Sequence, residues 1–208
     1  MKFYYLREDS NIGELENIAK TVFPQAVLER IMKKKGKSRD RSVLSYLMLR
    51  YCLKKEGKEE YFDQIKFTEH GKPYADGIEI SLSHTAGMIV CAVSDRSVGV
   101  DVEKIRPIPK YAIKKFMDEN RLSLYDGAEE KDYFAIREWV IKESWLKDMG
   151  IGVQKRLKNV VPSLISDNVW QIDGHKIAIF REGEYVLGIS SKKGIPKKLS
   201  RVSVRDVM

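Results

Sequence analysis

The sequence is poor in cysteine and lacks any long apolar run. Only Cys52 and Cys91 occur among 208 residues, each inside an apolar segment and without a C-x-x-C pair. This scarcity excludes a disulfide framework and a cysteine-based zinc site, and it predicts two buried free thiols. No segment reaches the roughly 20 consecutive apolar residues that a membrane-spanning helix requires.

The beginning of the chain, MKFYYLREDS, also lacks the apolar stretch and the small-residue cleavage site of a secretory signal peptide. We therefore expect a cytoplasmic protein that does not associate with membranes, in a compartment that keeps thiols reduced. The hydrophobic content of 43% is ample for the core of one large domain or two small ones.

Acidic residues are outnumbered, with 30 acidic against 38 basic side chains and a formal charge of +8. Residues 30–41 carry seven basic residues and one acid, and the segment from residue 192 onward carries six and one. Such patches suit anionic partners: a nucleotide, a nucleic acid or an acidic protein. Solvated basic faces would give the same pattern.

The pattern of apolar residues predicts helices and strands in both halves of the chain. We expect helices at 12–23, at 40–55 with Asp40 as the N-cap, at 111–122 and at 128–150, the last ended by Gly150. Strands are expected at 3–6, 78–84, 88–94 and 98–104, and again at 168–173, 175–182 and 185–191.

The order of these elements indicates an α+β protein, because helices precede strands twice without β-α-β alternation. The proline-containing stretch RPIPK, residues 106–110, marks a break between two halves of similar size. The predicted domains are an N-terminal α+β half at 1–104 and a C-terminal α+β half at 105–208.

The strand-like segment VGVDVEK, residues 98–104, carries two carboxylates. Side chains alternate along a strand, so Gly99, Asp101 and Glu103 should share one face and the valines the other. Two carboxylates held on one face repel each other unless a cation, hydrogen-bond donors or water lies near them. A half-solvated strand would also explain the pattern.

The predicted long helix contains WVIKESWLK, in which Glu143 lies one turn from both Trp139 and Lys147. The Glu143–Lys147 pair could be a surface ion pair of a few tenths of a kcal/mol. Alternatively, Glu143 adds a third carboxylate to Asp101 and Glu103. Together these would form an oxygen-rich site suited to Mg²⁺, with lysines holding phosphate nearby.

Two further segments could contact a phosphorylated ligand. The turn GKPY presents Lys72 and Pro73, and the strand end SLSHT presents Ser83 and His84 as donors. The first could equally be a tight connection. A Ser-His-Asp order or a nucleophile-elbow sequence is missing, so hydrolase chemistry is discounted.

Taken together, GKPY, SLSHT, VGVDVEKIRP and WVIKESWLK, in this order and at these separations, closely resemble the 4'-phosphopantetheinyl transferases of the larger single-chain type. The motif G-[IV]-D-x-E, followed about forty residues later by W-x-x-K-E-x-x-x-K, is matched fully. The resemblance covers most of the chain and is weakest before residue 39 and after about residue 155.

The resemblance implies two pseudo-twofold-related α+β halves with the active site in the cleft between them. It implies transfer of the 4'-phosphopantetheine arm from coenzyme A to a serine of an apo acyl or peptidyl carrier protein, releasing adenosine 3',5'-bisphosphate. The implied Mg²⁺ ligands are Asp101, Glu103 and Glu143. The implied coenzyme A contacts are Arg41, Lys72, Pro73, Ser83, His84, Lys142 and Lys147.

The resemblance further implies that Glu143 and Lys147 act in catalysis, in a protein expected to be monomeric. In the family, a glutamate that can serve as general base lies between the two motifs. Here the aligned position falls near Arg121, so the base is Glu119 if the alignment has a small gap, and otherwise Glu103 or metal-bound water.

Two other functions remain open from the sequence. A catalytically silent relative would bind coenzyme A without transferring the arm. A basic nucleic-acid-binding protein would explain the charge, although the chain lacks zinc-finger spacing, an RNA-recognition signature and a clear helix-turn-helix.

Overall fold

A computed structural model describes residues 1–8, 15–152 and 157–208. The chain divides into two compact units. The first unit comprises residues 1–96 and 197–208, and the second comprises residues 97–196. In the part of the chain that is described, no helix combines the length and apolar character needed to cross a bilayer.

The first unit is a mixed sheet with helices packed on it. Its helices are α1 (Leu15–Val22), α2 (Gln25–Met32), α3 (Gly36–Lys55) and α7 (Val204–Val207), and its strands are β1 (Lys2–Arg7), β2 (Lys66–Phe67), β3 (Pro73–Ala75), β4 (Ile78–Thr85), β5 (Met88–Ser94) and β11 (Ser200–Val202). The strand order is β11-β1-β5-β4-β3-β2. Every neighbouring pair is antiparallel except β1 and β11, which are parallel.

The core of the first unit forms where α3 packs on β4 and β5. Cys52 of α3 and Cys91 of β5 are both fully buried free thiols, as predicted. Burial raises the pKa of Cys52 above its usual value, so its thiol stays protonated and unreactive.

The second unit is an antiparallel sheet covered by one long helix. Its helices are α4 (Lys110–Ile113), α5 (Glu119–Asp126) and α6 (Lys131–Met149), and its strands are β6 (Gly99–Lys104), β7 (Ser163–Ser166), β8 (Val169–Ile172), β9 (His175–Glu182) and β10 (Tyr185–Ser191). The strand order is β6-β10-β9-β8-β7.

Two glycines allow α6 to lie unusually close to this sheet. A Cβ on Gly99 of β6 would lie 2.0 Å from the carbonyl oxygen of Ser144 and 2.2 Å from the amide nitrogen of Asp148. A Cβ on Gly188 of β10 would lie 2.4 Å from the Oγ of Ser144 and 2.7 Å from Cγ1 of Val140. A larger residue at Gly99 would push the backbone of α6 away from the strands, whereas one at Gly188 would displace side chains of α6.

The predicted α+β class and the predicted strands are confirmed, as is the end of α6. Gly150 adopts the left-handed conformation, with φ of 69°, and its amide donates to carbonyls of the last helical turn. Residues 12–14 of the first predicted helix lie outside the described residues.

Two helix predictions were wrong in detail, and one helix of eight residues was not predicted. Helix α3 begins at Gly36, so Asp40 lies inside the helix rather than at its cap. The helix predicted at 111–122 is two helices, because the carboxylate of Asp118 accepts from the amide of Arg121 and starts α5 anew. Helix α2 was missed.

The boundary between the compact units differs from the predicted domain boundary after residue 104. Strand β6 belongs to the second unit because it pairs along its whole length with β10 and packs against α6. The segment 197–208 belongs to the first unit because β11 pairs with β1.

Candidate active site

The two carboxylates of β6 lie on the face of the sheet that is covered by α6. Gly99 contacts the backbone of α6, and Asp101, two residues later, bonds to the Lys147 side chain of the same helix. Asp101 pairs with Gly188 of β10, and Glu103 pairs with Val186. The predicted alternation along β6 is therefore confirmed.

Asp101 is nearly buried and carries an ion pair with Lys147. The Lys147 Nζ atom lies 2.6 Å from Oδ1 of Asp101, and the Asp101 side chain is only 6% exposed. Glu103 is more accessible, with Arg106 4.0 Å from its Oε2 atom. Cations of the protein itself thus lie beside both carboxylates, which reduces the repulsion between them.

Glu143 contributes a third carboxylate from α6. The pKa of Glu143 is raised to about 7. Burial is the largest cause, and the negative charges of Asp101 and Glu103 also raise the pKa, whereas the positive charge of Lys147 lowers it. Its Oε1 atom is buried and has no hydrogen-bond partner among the described residues. An acidic group in these surroundings favours either a proton or a cation.

Within residues 1–8, 15–152 and 157–208, no three or more His, Cys, Asp or Glu side chains are grouped in a way that could hold a metal ion as they stand. Glu143 nevertheless lies close enough to Asp101 and Glu103 for their charges to shift its pKa. The structure therefore brings the three predicted carboxylates into one electrostatic cluster, with the Lys147 ammonium bonded to one of them.

This cluster predicts that stability depends on pH. The pKa of Glu143 is about 7 in the folded protein against an ordinary 4.5, so the folded state binds more protons between these values. Stability should therefore fall as the pH rises through that window, by an amount on the order of 2 to 3 kcal/mol.

Urea unfolding at pH 5 and at pH 8, in EDTA, measures the effect as the difference between wild type and Glu143→Gln, which cannot titrate. Other groups titrate in both proteins and cancel in this difference. Equal pH dependence of the two proteins would contradict the prediction.

Lys142 is held in the interior of the second unit by backbone carbonyl groups. It is fully buried, and its Nζ atom donates to the carbonyl oxygens of Phe116 and Leu157, the latter at 2.9 Å. Burial lowers the pKa of this lysine to about 8. The prediction that Lys142 binds pyrophosphate is therefore corrected. The ammonium group of Lys142 donates its hydrogen bonds to the backbone carbonyls of Phe116 and Leu157, and so connects these two segments to α6.

Four of the five coenzyme A contacts predicted for the first unit lie on three elements, α3, β3 and β4. Arg41 lies on α3, with its Nε 3.7 Å from Oε2 of Glu8. Pro73 is buried in β3, and Ser83 and His84 are half-buried near the end of β4.

Lys72, which precedes β3, is already paired with an acid. Its Nζ lies 2.9 Å from Oε2 of Glu79, and its side chain is 12% exposed. An incoming phosphate would compete with Glu79 for this ammonium group.

Glu119 and Arg121 lie in the first turn of α5. Glu119 is exposed to solvent. Arg121 is held by three groups: the Glu138 carboxylate at 3.2 Å, the carbonyl of Pro162 at 3.0 Å, and the face of Trp170 at 5.0 Å. Arg121 thus anchors the helix on which Glu119, the predicted base, lies.

Sequence reasoning missed a buried polar cluster around Asp148, at the end of α6. Its partners are His175, Ser190 and Ser97, which lie far from it in the sequence. No periodic pattern in the sequence connects these residues.

A cavity of about 410 Å³ is lined by residues 159–161, 163 and 171–173. None of the predicted site residues lines this cavity.

Comparisons with known proteins place these residues in a family. The sequence model of the 4'-phosphopantetheinyl transferase superfamily matches residues 97–190, which include β6, α6 and all three carboxylates. Among solved structures, holo-[acyl-carrier-protein] synthase from Thermotoga maritima aligns with a TM-score of 0.38 and 14% identity, over 45% of this chain and 61% of that chain.

Curated relatives share this family name. The 4'-phosphopantetheinyl transferase gsp of Aneurinibacillus migulanus is 34% identical over 41% of this chain and 37% of its own. A 4'-phosphopantetheinyl transferase of Bacillus subtilis is 31% identical over 58% of this chain and 59% of its own. The transferase Sfp of Bacillus subtilis strain 168 is 26% identical over 81% of each chain.

The chain thus spans less than two thirds of the length of the first two of these relatives and about four fifths of the third. The matched residues contain the strand and the helix that bring Asp101, Glu103 and Glu143 together. Residues 97–190, a little under half of the chain, therefore belong to the 4'-phosphopantetheinyl transferase superfamily.

Proposed function

We propose that this protein is a 4'-phosphopantetheinyl transferase, with holo-[acyl-carrier-protein] synthase activity, that uses coenzyme A as the donor. The acceptor is a serine of an apo acyl or peptidyl carrier protein, and the second product is adenosine 3',5'-bisphosphate. One observation carries the proposal: the carboxylate cluster on β6 and α6, with Lys147 beside it, lies inside the segment that matches the superfamily.

We propose that Asp101, Glu103 and Glu143 hold Mg²⁺. The donor set fits this ion, because Mg²⁺ prefers carboxylate oxygens and retains some of its water. The buried Oε1 atom of Glu143, which has no hydrogen-bond donor among the described residues, supports this assignment. When bound, Mg²⁺ would withdraw charge from the phosphoryl oxygens and from the leaving group.

The reaction forms one bond to phosphorus, breaks one bond to phosphorus and moves the serine proton to a base. The serine oxygen bonds to the phosphorus of the phosphopantetheine arm, the bond from that phosphorus to the bridging oxygen breaks, and adenosine 3',5'-bisphosphate leaves with the electron pair. The Lys147 ammonium, 30% exposed, would bind the pyrophosphate oxygens and stabilise the charge that builds there. Glu143 would orient the cation.

The serine proton must pass to a base. We propose Glu119, because its carboxylate is exposed at the start of a helix that Arg121 anchors to Glu138 and Trp170. Glu103 is the alternative, since it is the most accessible of the three clustered carboxylates.

We propose that Arg41, Lys72, Pro73, Ser83 and His84 of the first unit contact the nucleotide part of coenzyme A. Lys72 and Arg41 bring positive charge for phosphate, and each lies next to a glutamate. The protein is proposed to act as a monomer in the cytoplasm, where its two buried free thiols would stay reduced.

Intact-mass spectrometry tests the activity. An apo acyl carrier protein incubated with the protein, coenzyme A and Mg²⁺ should gain the mass of one phosphopantetheine arm. EDTA, or Asp101→Ala, should abolish that gain because each removes part of the metal site.

Several unrelated apo carrier proteins should be tried as acceptors. Coenzyme A binding measured by calorimetry is the companion experiment. Binding without transfer to any of these carriers would contradict the proposal and favour a silent coenzyme A-binding module. Mg²⁺-independent, salt-dependent DNA binding would favour the nucleic-acid alternative.

A further inference from the structure

A buried polar cluster lies around Asp148, at the C-terminal end of α6. Asp148, 3% exposed, bonds through Oδ2 to the Nδ1 of His175 at 2.5 Å and accepts from the Oγ of Ser190 at 2.9 Å. Its Oδ1 accepts from the hydroxyl of Ser97, which also donates to the Asp148 carbonyl at 2.6 Å. Ser191 extends the cluster by donating to the carbonyl of Ser97 at 3.0 Å.

The location of Asp148 is unfavourable for the helix itself. It lies in the last turn of α6, where the macrodipole disfavours negative charge, and burying a carboxylate costs free energy unless donors surround it. Its donors come from three places: the segment before β6, the start of β9 and the end of β10. The cluster therefore fixes the end of α6 against three strands of one sheet.

The residues of this cluster are close in sequence to the residues of the carboxylate site. Asp148 directly follows Lys147, whose ammonium bonds to Asp101. Ser97 lies two residues before Gly99, and the Asp148 amide nitrogen would be 2.2 Å from a Cβ at Gly99. A small slide of α6 along β6 would thus change the Lys147–Asp101 distance and the separation of Glu143 from Asp101.

We infer that Asp148 is a positioning residue: its bonds to His175, Ser190 and Ser97 set where α6 lies along β6, and so hold Glu143 and Lys147 in place against Asp101. In its metal-binding consequence this inference rests on the proposed function. Asp148 is not one of the proposed metal ligands and would act on them through the position of α6.

Asp148→Asn tests the inference. The asparagine side chain has nearly the same shape as aspartate but lacks the negative charge that binds the donors on His175, Ser190 and Ser97. Mn²⁺ serves as the probe, with binding followed by electron paramagnetic resonance at a temperature at which circular dichroism shows the variant folded. We expect the Mn²⁺ dissociation constant to rise about 10-fold, as for other residues that orient metal ligands. The Mg²⁺ concentration for half-maximal transfer should rise in parallel.

Ile136→Ala is the matched control for a loss of stability alone. Ile136 is buried on the same helix and lies in the core of the same unit, away from the Asp148 cluster. It should lower Tm while leaving Mn²⁺ affinity within twofold of wild type. His175→Asn, whose amide nitrogen can replace ring Nδ1 as a donor, should keep the affinity that His175→Ala loses.

Wild-type Mn²⁺ affinity in folded Asp148→Asn would overturn the inference, as would an equal loss of affinity in Ile136→Ala. If wild type itself binds no Mn²⁺, the metal part of the proposed function fails, and a stability cycle decides the inference. The cycle compares the loss of Tm in the double variant, Asp148→Asn with Asp101→Asn, with the sum of the losses in the two single variants. A smaller loss in the double variant supports positioning, and an additive loss overturns it.

Discussion

Replacing Glu143 by Gln is expected to reduce phosphopantetheine transfer at least about 100-fold, since even residues that only orient metal ligands cost 10- to 100-fold. The amide occupies the same volume but presents one neutral oxygen in place of a carboxylate. The change therefore weakens the proposed Mg²⁺ site without opening a cavity in the core.

The same variant is expected to fold, and to be more stable than wild type above pH 7 in EDTA. In wild type, the Glu143 carboxylate is buried beside Asp101 and Glu103, which raises its pKa to about 7, and an uncharged side chain removes that cost. Loss of transfer combined with gained stability would separate a functional role from a structural one.

Transfer rates at saturating carrier protein, measured by mass spectrometry across a range of Mg²⁺ concentrations, would check this expectation. Glu130→Gln is the matched control, because Glu130 is an exposed partner of Arg181 in the same unit. A Glu143→Gln variant with wild-type transfer would remove Glu143 from the proposed site.

Introducing a methyl group at Gly99 is expected to have the largest effect on stability. In Gly99→Ala the new Cβ would lie 2.0 Å from the Ser144 oxygen and 2.2 Å from the Asp148 nitrogen, both of them backbone atoms of α6. Backbone cannot rotate away as a side chain can, so the whole helix must move. We expect a loss of at least about 3 kcal/mol, at the upper end for overpacking.

Two other glycines provide a graded series for this experiment. In Gly188→Ala the clashing atoms belong to the side chains of Ser144 and Val140, which can shift, so the loss should be smaller. Adding Ser144→Ala to that variant should recover part of the loss. In Gly127→Ala the nearest atom lies at 3.8 Å, and stability should stay close to wild type.

Urea unfolding of the variants at pH 7 gives the order directly. The expected order of loss is Gly99→Ala, then Gly188→Ala, then Gly127→Ala. A Gly99→Ala variant as stable as Gly127→Ala would contradict the close packing of α6 on β6.

The parts of the site that could be predicted from sequence are those set by local geometry. Alternation along a strand places Asp101 and Glu103 on one face, and helical spacing places Glu143 beside Lys147. Both follow from a few neighbouring residues. The resemblance then connects the strand with the helix, which spacing alone could not do.

The contacts that the sequence did not reveal depend on partners far along the chain. Lysines are usually exposed, so nothing near Lys142 indicates that carbonyls of Phe116 and Leu157 would hold its ammonium in the core. Likewise, the acids beside Arg121 and Lys72 are known only once the chain is folded. The helix break at Asp118 was predictable in principle, because aspartate is a common N-cap.

The pairing of β1 with β11 bears on how the chain folds as it leaves the ribosome. The second unit is one continuous segment, whereas the sheet of the first unit gains its edge strand only when residues 200–202 have been made. Domains usually fold in the order of their synthesis. Here the second unit could reach its native state before the first unit is complete. Strand β1 would then keep one edge unpaired until β11 has been synthesised.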